Sequence, residues 1–201
     1  NVGFAETVCL DKSKSSCGEV VLEIIEAMCG SVSTNEASLL YMAVSTDTGC
    51  FLYTNTNAAT FSAASKLIAA GADNKALNII FFRTMSRARM KLLGAIYSEM
   101  RYFRGGKIAA AIVTLQMLEQ FGATEDDCED LAGIPGAAEG ALMSILIREI
   151  EPGRSKVSLR SKPGVDVSEI CAEFGGGGHV NASGCHILED PEVAEQLLIQ
   201  A

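Results

Sequence analysis

From Ser16 onward the chain repeats apolar residues at helical spacing. Val20, Val21, Ile24, Ile25 and Met28 follow a Ser16-x-x-Glu19 pair that reads as a capping box, and Gly30 stops the segment. Thr34 or Asn35 is placed to cap a second helix, which carries Leu39, Leu40, Ala43 and Val44 and runs into Ser-Thr-Asp-Thr-Gly at 45–49. A third helix follows Asn57, with Phe61, Ala64, Leu67 and Ile68 inward and Gly71 at its end. Asp73 caps a fourth. Residues 84–99 read as helix again, basic on one side through Arg83, Arg87, Arg89 and Lys91.

Near residue 100 the period changes. Residues 99–114 predict strand, a Gly105-Gly106 turn and strand. A short helix over Leu115–Phe121 ends at Gly122, ahead of an acidic segment with Glu125, Asp126, Asp127, Glu129 and Asp130. Residues 141–150 and 156–161 predict two paired strands about a Glu151-Pro152-Gly153 turn. Asp166-x-x-Glu169 starts a helix that ends at the glycine run. Cys185–Glu189 is a last strand, and a terminal helix begins at Pro191. The expectation is an α/β chain of two domains, with residues 83–99 as a connector helix.

Composition narrows the class. With 48% hydrophobic and 20% charged residues the chain is globular in composition, and no apolar run is long enough to span a bilayer. A net charge of −9 argues against sequence-blind binding of long nucleic acid, though not against a small basic pocket for one or two phosphates. Seven scattered cysteines without a C-x-x-C suggest free thiols in a reducing cytoplasm.

Three stretches carry candidate chemistry. The first is Phe174–Gly184, where four glycines, Gly175, Gly176, Gly177 and Gly178, precede His179. Each glycine costs about 0.5–1 kcal/mol against alanine in a regular element, so four need a reason. A capped helix leads in and a strand leads out, which disfavours a linker; a tight turn needs fewer. A bare backbone that converges N–H groups on an anion accounts for the run, and a helix opening at His179 would add its dipole. His179 would then donate to a phosphate or stack on a base. The alternative is a structural histidine beside packing glycines. The second stretch is Lys156–Ser161: Arg160 can grip a phosphate through two parallel donors and Ser161 adds another, unless this is only a solvated strand end. The third is Asp47, a possible ligand for a divalent metal or a helix-ending turn residue; one carboxylate cannot hold a catalytic metal pair.

Together these stretches resemble the DHH-family phosphoesterases. Phe174–Cys185 is similar to the G-G-G-G-H-x-x-A-A-G signature of the DHH-associated domain, with Ser183 where that signature has alanine. Residues 156–161 and 166–174 look like the strand and helix before it, and 41–73 is similar to the last metal motif of the DHH domain and the helices that follow. The stand-alone bacterial nanoRNase/pAp phosphatase type is the sub-group most resembled. The resemblance implies residues 1–82 as the C-terminal part of a parallel-sheet DHH domain, mostly helical here. Residues 100–201 become a smaller mixed-sheet, substrate-binding DHH-associated domain. It further implies two Mn²⁺ ions with Asp47 as one ligand, and substrate contacts from Arg160, Ser161, Gly175 to Gly178 and His179. Such enzymes cleave short oligonucleotides, pAp or linear and cyclic dinucleotides. The D-H-H triplet and the earlier aspartate motifs are absent, so the chain reads as N-terminally truncated, able to bind nucleotide phosphate but inactive alone. With a sheet uncovered, residues 1 to about 80 are expected to be less stable than the rest or to pair in a homodimer. The alternative function is a non-catalytic nucleotide- or nucleic-acid-binding module, as in the related C-terminal domain of alanyl-tRNA synthetases.

Overall fold

The computed structural model describes residues 6–201, which divide into two compact units with the boundary between Thr84 and Met85. In the first unit, four helices pack without a strand among the described residues: α1 (Cys17–Cys29), α2 (Thr34–Asp47), α3 (Ala58–Ala69) and the short α4 (Asn74–Asn78). Leu22, Leu40, Tyr41, Val44, Ala64 and Leu67 form its core. Small residues set the spacing: a Cβ on Gly18 of α1 would lie 3.1 Å from the Ala43 Cβ of α2.

The caps partly differ from the sequence reading. Helix α1 starts at Ser16, whose hydroxyl accepts from the Gly18 N–H. Glu19 does not close the box, because its carboxylate is taken by the Ser15 N–H and hydroxyl. Helix α2 is capped by Ser33 in a reciprocal box with Glu36, not by Thr34 or Asn35, since a glutamate three residues on satisfies the cap's own N–H. Asn57 and Asp73 cap α3 and α4 as expected. Phe61 and Ile68 are exposed rather than inward; Phe61 stacks on Phe51 at 5.3 Å between ring centroids. Residues Ile79–Arg83 form one π-helical turn.

The second unit begins with α5 (Arg87–Ser98), capped by Ser86. It buries Leu92 and Ile96 against the sheet of this unit, so the helix expected as a connector is an integral part of that core. Strands β1 (Arg101–Phe103) and β2 (Ile108–Val113) form the hairpin, joined by Arg104, Gly105 and Gly106, all at positive φ. Helix α6 (Leu115–Phe121) crosses over to β3 (Met143–Glu151), which lies parallel to β2. β4 (Arg154–Ser161), α7 (Val167–Glu173), β5 (Gly177–His179), β6 (Ala182–Ile187) and α8 (Pro191–Gln200) complete it. The strand order is β1-β2-β3-β4-β6-β5, antiparallel except for β2–β3.

Register separates the two faces of this sheet. Ile145, Ile147, Val157, Leu159, Cys185 and Ile187 face one way and are covered by Val167 and Cys171 of α7 and Ala194 and Leu198 of α8. Ala111, Val113 and Leu146 face the other way, beneath Leu92, Ile96, Cys128 and Leu131. Both faces of β2 are therefore covered, and Ala109, Ala110 and Ala111 are buried in succession.

Candidate substrate-binding face

The second core covers β2 and β3, leaving the same face of β4, β6 and β5 open. Side chains alternate along a strand, so paired residues project together. Arg160 pairs with Ala182 and Ala182 with His179, forming one row. The next row is Leu146, Ser158, Gly184 and Gly177, and the one after is Arg148, Lys156 and His186. Lys156, Arg160, Gly177, His179 and His186 are exposed. With about 4.8 Å between strands, Arg160 and His179 stand roughly 10 Å apart at the backbone, across small residues. The result is a shallow floor of Ser158, Ala182, Gly184 and Gly177 rimmed by cations and imidazoles. A cavity of about 250 Å³ lies on this floor, lined by Lys156, Ser158, Gly175, Gly176, Gly184 and His186.

Arg160 donates one bond, Nη1 to its own Leu159 carbonyl at 2.9 Å, and the rest of its fork has no partner among the described residues. Ser161 lies next in the strand, so its side chain leaves on the opposite face. Its hydroxyl donates to the Val165 carbonyl at 2.7 Å and accepts from Asn181 Nδ2 at 2.9 Å. That network ties the Lys162-Pro163-Gly164 reversal to the turn between β5 and β6. Ser161 is thus separated from the Arg160–His179 row and holds the loop that carries it.

The four glycines have separate duties. Gly175, at φ 69°, ends α7: its N–H donates to the Ala172 carbonyl at 3.0 Å and the Gly176 N–H to the Cys171 carbonyl at 2.8 Å. Those two N–H groups are consumed, so the run is not a nest of four converging donors. A Cβ on Gly176 would sit 2.3 Å from the Gly184 carbonyl and 2.4 Å from the Cys185 Cβ. One on Gly178, at φ 152°, would meet the Ala182 carbonyl at 2.6 Å, whereas one on Gly177 would point into open space. His179 does not open a helix. It ends β5, held there by pairing with Ala182 and by Ser183 Oγ donating to its carbonyl at 2.8 Å, so no helix dipole acts at this point. What the run presents is the outer edge of the sheet, where alternate N–H groups of β5 turn away from β6. Beneath it, burial pushes the Cys185 thiol up to about 12, with the neighbouring Cys171 adding to the shift; both are inert packing groups.

Asp47 ends α2 in the other unit and is exposed, with its backbone carbonyl accepting from Asn55 Nδ2 at 3.1 Å. Among the described residues no group of three or more His, Cys, Asp or Glu is arranged to hold a metal. A single solvated carboxylate does not fit a two-ion centre. Lys156, Ser158, His186 and Arg148 were not singled out from the sequence. The period-two spacing of Lys156, Ser158 and Arg160 contains the signal for the first two, whereas His186 and Arg148 join them only through strand pairing.

Residues 105–201, from the β1–β2 turn to the end of α8, match the DHHA1 domain family. The chain as a whole is homologous to the bifunctional oligoribonuclease and PAP phosphatases NrnA. It is 32% identical to that of Thermus thermophilus over 92% of this chain and 55% of the relative, and 28% identical to that of Bacillus subtilis over 97% and 62%. An exopolyphosphatase-related protein from Bacteroides fragilis superposes on 98% of this chain and 58% of its own with a TM-score of 0.86, at 28% identity. The chain thus spans between half and two thirds of the length of each of these relatives. No helix among the described residues is long and apolar enough to cross a membrane.

Proposed function

We propose that this chain supplies the substrate-holding part of a phosphoesterase acting on short oligonucleotides or PAP, with cyclic dinucleotides a further substrate class. The observation that carries the reading is the Arg160–Ala182–His179 row: an unpaired guanidinium and an exposed imidazole flank a floor of small residues on the only open half of the described sheet. Arg160 takes a phosphate through its free fork. His179 donates to the same group or stacks on a base, and the glycine edge lets backbone approach the ligand closely. The divalent-metal dependence implied by the family draws on ligands other than those described, whether Mn²⁺ or another ion. The chain alone therefore binds nucleotide and does not hydrolyse it.

Calorimetric titration with pAp and with a diadenosine dinucleotide, without and with Mn²⁺, tests this. Arg160→Ala and His179→Ala are each expected to weaken metal-independent binding. Losing a charge-assisted bond of about 1.5–3 kcal/mol corresponds to roughly 10- to 100-fold for Arg160→Ala. Wild-type affinity in both variants would remove the site assignment. The second reading is a non-catalytic binding module. It predicts the same binding, and the two readings part on whether Mn²⁺ produces phosphate release from the complete enzyme.

A further inference from the structure

Beside the open basic rows lies a cleft of about 360 Å³ whose two walls carry opposite charge. Arg148, Lys156 and Arg160 line the sheet side; Glu125, Asp126, Glu129 and Asp130 line the other. The acidic wall is a built feature. Arg89 of α5 pins its backbone, Nη1 donating to the Asp127 carbonyl at 2.8 Å and Nη2 to the Glu129 carbonyl at 2.7 Å. Asp127 is used internally, accepting from Ser86 Oγ at 2.5 Å and the Thr124 N–H at 2.9 Å. Glu125 pairs with Arg148 at 2.5 Å. Asp126, Glu129 and Asp130 are exposed and make no side-chain hydrogen bond or ion pair among the described residues. A fixed backbone thus holds three unspent carboxylates opposite the cations that a polyanion would follow along β4.

Resting on the reading of the Arg160–His179 row as a phosphate site, we propose that Asp126, Glu129 and Asp130 are length-determining residues. Arg160 stands on the rim shared by the cleft and the open rows, and a phosphate bridging Arg160 and His179 lies over Ala182, on the β6 and β5 side of that rim. Further phosphates, placed toward Lys156 and Arg148, enter the cleft, where like charge opposes them and Glu125 already occupies Arg148. Short nucleotides keep the grip, and longer strands gain nothing from the cations that would otherwise extend it. The wall discriminates by repulsion, without contacting the favoured ligand.

The test compares the chain with its Asp126→Asn/Glu129→Gln/Asp130→Asn variant. Asparagine suits position 130, where φ is 58°. Oligoadenylates of two, four and eight nucleotides are titrated without divalent metal, and the ratio of eight-mer to two-mer affinity is read. The expected result is an increase in that ratio of about ten-fold, with two-mer affinity changed less than three-fold, which also reports that the variant folds. A control variant, Glu99→Gln/Glu119→Gln/Glu139→Gln, removes equal charge outside the cleft and keeps the wild-type ratio. An unchanged ratio in the cleft variant, or an equal rise in the control, overturns the length-determining role while leaving the phosphate site standing. Failure of both chain and variant to bind any length overturns the phosphate site, and this inference with it.

Discussion

Gly176 and Gly177 are adjacent, both exposed, and not interchangeable. A methyl on Gly176 meets backbone oxygen and the Cys185 side chain at sub-contact distance, whereas one on Gly177 meets nothing within 4 Å. Gly176→Ala should cost about 2 kcal/mol or more, since overpacking against backbone cannot relax cheaply. Gly177→Ala should change stability by less than about 1 kcal/mol, in either direction. Urea denaturation of both variants checks this, and equal losses would mean that the run acts as a flexible unit. Gly177→Ala also narrows the floor beside His179, so reduced nucleotide affinity without loss of stability would separate binding from folding at a single residue.

At the scale of elements, α8 holds the least comfortable carboxylate in the second unit. Glu195 is buried, and its Oε1 has no hydrogen-bond partner, while Oε2 pairs with the half-exposed Arg101 at 2.8 Å. Desolvation raises its pKa above the ordinary 4.5, with Arg101 opposing and Glu192 adding. A carboxyl with a raised folded-state pKa stabilises the fold fully below about pH 4.5, and that contribution is lost as pH rises through the raised value. Asp127 and Asp166 are lowered by hydrogen bonds from Ser86 and Ser168 and act in the opposite sense, so the difference between wild type and Glu195→Gln is the informative quantity. In urea titrations from pH 4 to 8, the Glu195→Gln variant should gain stability relative to wild type as pH rises. A difference independent of pH would place Glu195 in a solvated environment.

For the whole molecule, a net charge of −9 means that any phosphate grip is local. If two phosphates are engaged, the logarithm of affinity should fall with the logarithm of salt concentration at a slope of about −1.4. Dinucleotide titrations at several salt concentrations measure this, and a much steeper slope would require a larger basic surface than the open sheet rows. The two units also differ in how they are built. The first leaves Met28, Leu39, Leu52, Phe61 and Ile80 exposed over a core rich in alanine, and the second has a six-stranded sheet whose strands β2, β3, β4 and β6 are covered on one face by α7 and α8. Residues before Thr84 should therefore be cleaved first in limited proteolysis, or be protected at concentrations where light scattering shows a dimer. Equal resistance of both units in a monomer would contradict this.

Local chemistry alone determined the helices, the hairpins and the helix stop at Gly175, because caps, glycine turns and hydrophobic period act within a few residues of one another. Arg160 and His179 stand out as candidates in the sequence for the same reason, each lying beside an unusual local pattern. Which glycine donors remain free, which way Ser161 turns, and whether His179 begins a helix or ends a strand were decided by β6, through pairings with residues that no local pattern identifies. The same holds for the acidic wall and the Arg148–Lys156–His186 row. Their charges are plain in the sequence, but only the register of β3, β4 and β6, together with the Arg89 clamp, brings them to one face. Long-range pairing fixes side-chain direction to one of two faces, and a single residue of register reverses it.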